Sequence, residues 1–146
     1  MTDDVLALDR QVCFALAATS RSVVALYRPI LEPLGLTHPQ YLVMLALWER
    51  SPRRVRDIAD ALYLDSATLS PLLKRLQSAG LIERIRDAED ERALKITLTA
   101  QGRELRTQAE LVPGRVVERL DIPISDLEDL RDRLTDLLER TIRVAG

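Results

Sequence analysis

The chain has one cysteine, one histidine, one tryptophan and one phenylalanine in 146 residues. A lone thiol excludes an internal disulfide framework. Aromatic residues reach only 3%, so the core must be built from Leu, Ile, Val and Ala. Five glycines are too few for a protein of many tight hairpins, which favours helices. No apolar run approaches the roughly 18 residues that a membrane-spanning helix needs. The opening "MTDDV" is acidic where a secretory leader is basic, so a cytoplasmic protein is expected, without a membrane partner. With no "GxGxxG" and no phosphate-binding loop, nothing points to nucleotide or hydrolase chemistry, and neither a cofactor nor a metal is expected. "AEDE" (88–91) has charge but no ligand spacing, and reads as a charged turn. An excess of positive charge is missing too: 21 Lys and Arg against 23 Asp and Glu leave a formal charge of −2. Nucleic-acid binders usually carry a basic footprint. If DNA is the partner here, the fold must place the cations.

What is present is helical periodicity. Apolar positions 13, 16, 23, 24, 27, 30, 31 and 34 recur at steps of three and four, one stripe of a long helix that ends near Pro33 and Gly35. "THPQ" follows, with Thr37 as N-cap, Pro39 in the first turn and Gln40 completing a capping box. The next helix, "YLVMLALWE", is apolar on nearly every side and should be buried; "SPRR" breaks it. Val55, Ile58, Ala59 and Leu62 then give a short amphipathic helix. After the turn "YLDS", Leu69, Leu72, Leu73 and Leu76 give another, closed by Gly80. Two short helices joined by a tight turn are a helix-turn-helix. Pro71 is nearly free if Thr68 is the N-cap and loses one backbone bond if Ser66 is.

The period then changes. "LIERIR" and "ALKITLT" are short and β-branched, the second alternating with Leu94, Ile96 and Leu98 on one face, and "DAEDER" joins them as a hairpin. Thr99 can cap a further helix carrying Leu105, Ala109, Val112, Val116 and Leu120. "DIPIS" interrupts it, and Ser125 with Glu128 starts a last helix whose inner face holds Leu127, Leu130, Leu134, Leu137, Leu138 and Ile142. The fold class expected is mainly α with a small β-hairpin: a winged helix-turn-helix framed by N- and C-terminal helices. The division expected is 1–36 for dimerisation and redox sensing, 37–100 for DNA binding and 101–146 for dimerisation. The terminal helices carry more apolar stripe than one small domain can cover, which marks an interface, most economically that of a twofold homodimer.

The stretches "LYRPILEPLGLTHPQYLVMLALWE", "LYLDSATLSPLLKRLQSAGLIER" and "RDAEDERALKITLTAQG" together resemble the MarR family of transcriptional regulators. "QVCFAL" around Cys13, followed by Ser20 and Arg21, resembles its organic-hydroperoxide-sensing branch, often called OhrR. The likeness covers about residues 6 to 120.

The resemblance implies a repressor bound to double-stranded DNA at a pseudo-palindromic operator. On the second helix of the motif, Ser66, Thr68 and Ser70 could reach bases or phosphates, and Pro71 could pack on a thymine methyl. Lys74 and Arg75, one turn on, suit phosphates. In the wing, Arg92 resembles the family's minor-groove arginine, oriented by a carboxylate at Asp90, and Arg86 flanks the same hairpin. Residues 53 to 92 hold eight basic and eight acidic side chains, so affinity must come from focused contacts.

Most buried free cysteines are inert filler; a reactive one needs hydrogen-bond donors aimed at the sulfur. Tyr27 shares a stripe with Cys13 but lies 14 residues away, roughly 21 Å along a helix. The two cannot meet within one chain. The resemblance implies that first helices pack antiparallel across the dimer, so that Tyr27 of one protomer faces Cys13 of its partner. A second tyrosine donor of the family is replaced here by His38, whose protonation would give sensing a pH dependence near 6 to 7. Ala17 stands where a further tyrosine can occur. The effector implied is an organic hydroperoxide, and with no resolving cysteine the sulfenic acid formed would pass to a low-molecular-weight thiol. Two other readings compete: a MarR-type regulator answering a small aromatic ligand with Cys13 as packing, and a thiol peroxidase, which would need turnover and a resolving thiol.

Overall fold

The computed structural model describes residues 4–90 and 92–145; Glu91 of the charged turn, the first three residues and Gly146 lie outside them. The chain forms two compact units, 1–112 and 113–146.

In the first unit a short 3-10 turn, Leu8–Arg10, precedes α1 (Val12–Leu31). Gln11 interrupts them in an extended conformation (φ −86°, ψ 124°), its side-chain amide donating back to the carbonyls of Val5 and Ala7 at 2.8 and 3.1 Å. Helix α1 passes through Pro29, and a second 3-10 turn, Glu32–Leu34, ends at Gly35 with φ +72°. Thr37 and Gln40 form the capping box that starts α2 (His38–Glu49). The expectation of a wholly buried α2 is too broad. Tyr41, Val43, Met44, Ala46 and Leu47 are buried, whereas Leu45 is exposed.

"SPRR" does more than break a helix. Arg53–Arg54 is a strand, β1, antiparallel to β3 with Arg53 opposite Ile96 and Arg54 opposite Lys95. Helices α3 (Val55–Leu62) and α4 (Ser66–Ser78) follow, joined by a turn in which Tyr63 takes φ +56°. Neither Ser66 nor Thr68 caps α4. Asp65 does, accepting the Thr68 N–H at 2.7 Å. A carboxylate one residue earlier satisfies a free N–H of the first turn, which puts Pro71 inside the helix, where it cannot bond back to the Ala67 carbonyl. Both residues are exposed, so water can take that carbonyl.

Strands β2 (Ile82–Arg86) and β3 (Leu94–Leu98) pair from Ile82 opposite Leu98 to Arg86 opposite Leu94, and the sheet order is β1–β3–β2. The hairpin is therefore a three-stranded sheet. Ile96 and Leu98 face the core while Leu94 is exposed. The Thr99 hydroxyl caps α5 (Ala100–Ala109) by accepting the Gly102 N–H at 3.0 Å. The helix expected from Thr99 to Leu120 is broken at residues 110–111, and α6 (Val112–Leu120) is separate. Pro113, its second residue, has no N–H to return to the Ala109 carbonyl and sits at little cost in the first turn of a new helix. The first unit's core is aliphatic as the composition requires: Leu31, Met44, Leu47, Ile58, Leu69, Leu73, Leu76, Ile82 and Ile96 are at most 1% exposed. Each such burial is worth about 1.5–3 kcal/mol.

The second unit holds most of α6 and all of α7 (Ile124–Ala145). Ser125 does not cap α7. The helix begins one residue earlier, and Asp126 and Leu127 donate to the Pro123 carbonyl at 3.0 and 3.2 Å. No residue of α7 is buried. Leu130, Leu134, Leu137, Leu138 and Ile142, spaced along one face, are all exposed. Among the described residues no helix is long and apolar enough to cross a membrane, and no group of three or more His, Cys, Asp or Glu could hold a metal ion.

Candidate nucleic-acid interface and thiol site

Helix α4 buries Leu69, Leu72, Leu73 and Leu76 and turns its other side outward. Ser66, Thr68, Pro71, Lys74 and Arg75 are exposed, and Ser70 is half-buried. Asp65 sits below the usual carboxylate range because it accepts the Thr68 backbone N–H, then a bond from the Thr68 hydroxyl, so the cap stays ionised at neutral pH. The outward face is mildly polar, narrow and regular, the form that enters a major groove.

Opposite it the hairpin closes a cleft of about 490 Å³, whose walls include Ser66 and Ser70 of α4, Arg56 of α3, Arg84 of β2, and Asp90 and Arg92 of the turn. Arg54 of β1 lines it too. The structure thus brings Ser66, Ser70, Asp90 and Arg92 together. Thr68, Pro71, Lys74, Arg75 and Arg86 are not among the residues that line the cleft. The Asp90 carboxylate accepts the backbone N–H of Arg92 at 3.0 Å, and the Ala93 N–H donates to the Asp90 carbonyl at 3.0 Å. Asp90 therefore shapes the turn that carries Arg92.

Arg54, Arg56 and Arg84 did not emerge from the sequence reading. A signal existed for Arg84: two residues before Arg86 on a strand, it shares a face with it. Its buried Nε has no hydrogen-bond partner. Among the described residues Arg56, Arg84 and Arg92 form no ion pair, so three guanidinium groups line the cleft with their charge uncommitted. Arg54 is committed. It bonds Asp87 through Nε at 2.8 Å and Nη2 at 2.7 Å.

Cys13 is the second residue of α1 and is exposed. It lies in a first turn whose N–H groups lack helical partners and favour negative charge. Val12, Phe14 and Leu16 around it are exposed as well. The stripe read along α1 is covered only toward its end: Ile30, Leu31 and Leu34 are buried, Val23, Val24 and Tyr27 half-buried, Cys13 and Leu16 open.

At the covered end, the Tyr27 ring meets His38 edge-on, with centroids 5.1 Å apart and planes at 66°, and Tyr41 lies 6.1 Å away. His38, Val24, Arg28, Leu36 and Pro39 help to line an open cavity of about 420 Å³. Burial raises Tyr27, and it raises Tyr41 with a further push from Tyr27. Burial lowers His38 from its ordinary 6.5. Tyr27 and His38 are therefore neutral at pH 7, and each offers an uncharged donor. Burial therefore displaces the titration of His38 toward acid from its ordinary value.

The known proteins that this chain is similar to are transcriptional regulators. The SarA/Rot family of transcriptional regulators matches residues 25–108. The organic hydroperoxide resistance transcriptional regulator of Bacillus subtilis is 43% identical over 136 residues, covering 93% of this chain and 92% of its own. Reduced AbfR bound to DNA has the same fold, with a TM-score of 0.76 at 34% identity over 97% of this chain and 99% of the other. Overoxidised AbfR bound to DNA superposes as closely, with a TM-score of 0.76 and full coverage of both chains.

Proposed function

The chain belongs to the MarR family of transcriptional regulators, on its organic-hydroperoxide-sensing branch, and from that premise we propose that it is a cytoplasmic, homodimeric repressor that releases its operator when Cys13 is oxidised. Residues 1–36 carry sensing and dimer contacts, 37–100 read DNA, and 101–146 complete the dimer. The observation that carries the reading is an exposed Cys13 within an uncovered apolar face, on the helix α1 that also carries Tyr27, against which His38 of α2 packs.

Two first helices packed antiparallel cover that face and bring one protomer's Tyr27 and His38 to its partner's Cys13. The Tyr27 hydroxyl and one His38 N–H then donate to the sulfur and hold it as thiolate. The thiolate attacks the terminal oxygen of an organic hydroperoxide. The O–O bond breaks, an S–O bond forms, and the alkoxide leaves and takes a proton to become an alcohol. The sulfenic acid next meets a low-molecular-weight thiol, an S–S bond forms and water departs. Each turn of this chemistry leaves the sensor blocked, so the chain acts as a switch rather than a peroxidase.

The added bulk displaces Tyr27, shifts the dimer helices and moves the α4 pair off the roughly 34 Å spacing of two major-groove half-sites. A hundredfold loss of affinity requires about 2.7 kcal/mol of coupling. On the DNA side, Ser66, Thr68, Ser70 and Pro71 face base edges, Lys74, Arg75, Arg84 and Arg86 face phosphates, and Arg92, with its turn set by Asp90, reaches the minor groove.

The test is fluorescence anisotropy at fixed salt on a duplex selected by the protein from a random pool, for wild type and Cys13→Ser. Cumene hydroperoxide with a small thiol should release wild type and leave the serine variant bound. Release of both, or of neither, would make Cys13 a packing residue and move the search to a ligand at the cavity beside His38.

A further inference from the structure

Asp87 is the one buried charged residue of the described chain, 1% exposed. It stands immediately after β2, at the base of the wing. Its carboxylate is fully engaged. Oδ2 takes Arg54 of β1 at 2.7 and 2.8 Å, and Oδ1 takes the Glu89 N–H at 3.0 Å and faces Lys95 of β3 at 3.5 Å. The Asp87 N–H also donates to the Ala93 carbonyl at 3.1 Å, across the neck of the turn. The carboxylate therefore ties β1 and β3 to the start of the turn that carries Arg92, and the Asp87 main chain closes its neck.

Two consequences follow, and they act in the same direction. The carboxylate takes up two cations that stand beside the DNA-facing cleft, Arg54 on its wall and Lys95 next to it in sequence register. A cation bound to a buried carboxylate is not available to a phosphate, and phosphate contacts raise affinity for every sequence alike. At the same time its bond to the Glu89 N–H fastens the turn that carries Arg92 to the sheet, the kind of support a groove-reading arginine requires.

We propose that Asp87 is a specificity-determining residue: it withholds Arg54 and Lys95 from the DNA backbone while it positions the turn bearing Arg92, so that its charge lowers binding to arbitrary DNA and preserves binding to the operator. The inference rests on the DNA-binding reading above. It adds a role that a buried acid beside a polyanion would not suggest by simple charge counting. Charge counting alone predicts that removing an acid strengthens binding to all DNA equally. A scaffold role alone predicts that removal weakens it equally.

The experiment compares wild type, Asp87→Asn and Lys95→Gln, at several salt concentrations, on a duplex selected by the wild-type protein from a random pool and on a shuffled duplex of the same composition. Retained Trp48 emission confirms folding, since that indole donates to the Gly102 carbonyl at 2.9 Å, outside the sheet. Asp87→Asn should bind the shuffled duplex about five- to tenfold more tightly per cation released, and its plot of log affinity against log salt should steepen by about one for each. The ratio of selected to shuffled affinity should fall at least tenfold. Lys95→Gln should leave the salt slope unchanged, because that ammonium is already held. Equal losses on both duplexes with an unaltered slope, an unchanged ratio in Asp87→Asn, or a slope about one shallower in Lys95→Gln would each overturn the proposal. If Asp87→Asn does not fold, the Lys95→Gln slope decides. A wild-type protein that does not prefer its selected duplex refutes the DNA-binding reading itself, a result distinct from all of these.

Discussion

Replacing Leu134 and Leu138 by alanine probes the apolar face that α7 leaves open. The two side chains are 42% and 39% exposed, so about two-fifths of the 1.5–3 kcal/mol available from burying a leucine is still to be gained at each, or ~0.6–1.2 kcal/mol. In a twofold interface every residue counts twice. The double substitution should therefore remove on the order of 2–5 kcal/mol from association and raise the dimer dissociation constant by about 30- to 5,000-fold. Because α7 buries none of its residues within the chain, secondary structure by circular dichroism should be retained. Sedimentation equilibrium from nanomolar to micromolar protein reads the shift directly. DNA affinity should fall with it, since two half-sites are engaged only by a dimer. A dissociation constant unchanged by the double substitution would show that this face is not the dimer contact, and a wild-type protein that stays monomeric at micromolar concentration would refute the dimer altogether.

The buried imidazole sets a second prediction. The unfolded chain takes up a proton near pH 6.5 that folded His38 accepts only at lower pH, so this contribution to stability is present above pH 6.5 and is lost as pH falls through the lowered folded value. The melting temperature of wild type should decline between pH 6.5 and 5.5, whereas that of His38→Tyr should not; identical profiles would count against a desolvated imidazole. Gly102 supplies a third. A Cβ added there would collide with the Leu81 carbonyl oxygen, a backbone atom that cannot swing aside. Gly102→Ala should lower stability by about 1–3 kcal/mol, a fall of several degrees in melting temperature, and shift Trp48 emission by disturbing its bond to the Gly102 carbonyl. A melting point within one degree of wild type would show that the close approach is easily relieved.

The elements legible in the sequence were those set by contacts a few residues apart. Thr37 with Gln40, Thr99 with Gly102, and Gly80 in a left-handed turn (φ +79°) each act within a single turn of chain. Where several local solutions competed, the backbone chose: Asp65, Ser66 and Thr68 are all capping residues, and only the path out of the Tyr63 turn aims a side chain at the Thr68 N–H. The break at residues 110–111 was signalled by Pro113, but the apolar spacing across it suits a continuous helix just as well. Strand β1 left no local trace, since two arginines become a strand only because β3, more than 40 residues on, offers its edge.

Sequence by itself determined that this protein is a winged helix-turn-helix, that Thr37 and Thr99 cap the helices that follow them, and that one thiol stands in an otherwise thiol-free chain. Periodicity and capping are short-range, and a single cysteine needs no structure to be counted. Only the tertiary structure decided that Tyr27 meets His38, that the stripe around Cys13 is left uncovered, that Arg84 enters the cleft, and that Asp87 gathers Arg54 and Lys95. These depend on side chains brought together from distant segments, where burial and charge are set by neighbours that the order of residues does not reveal.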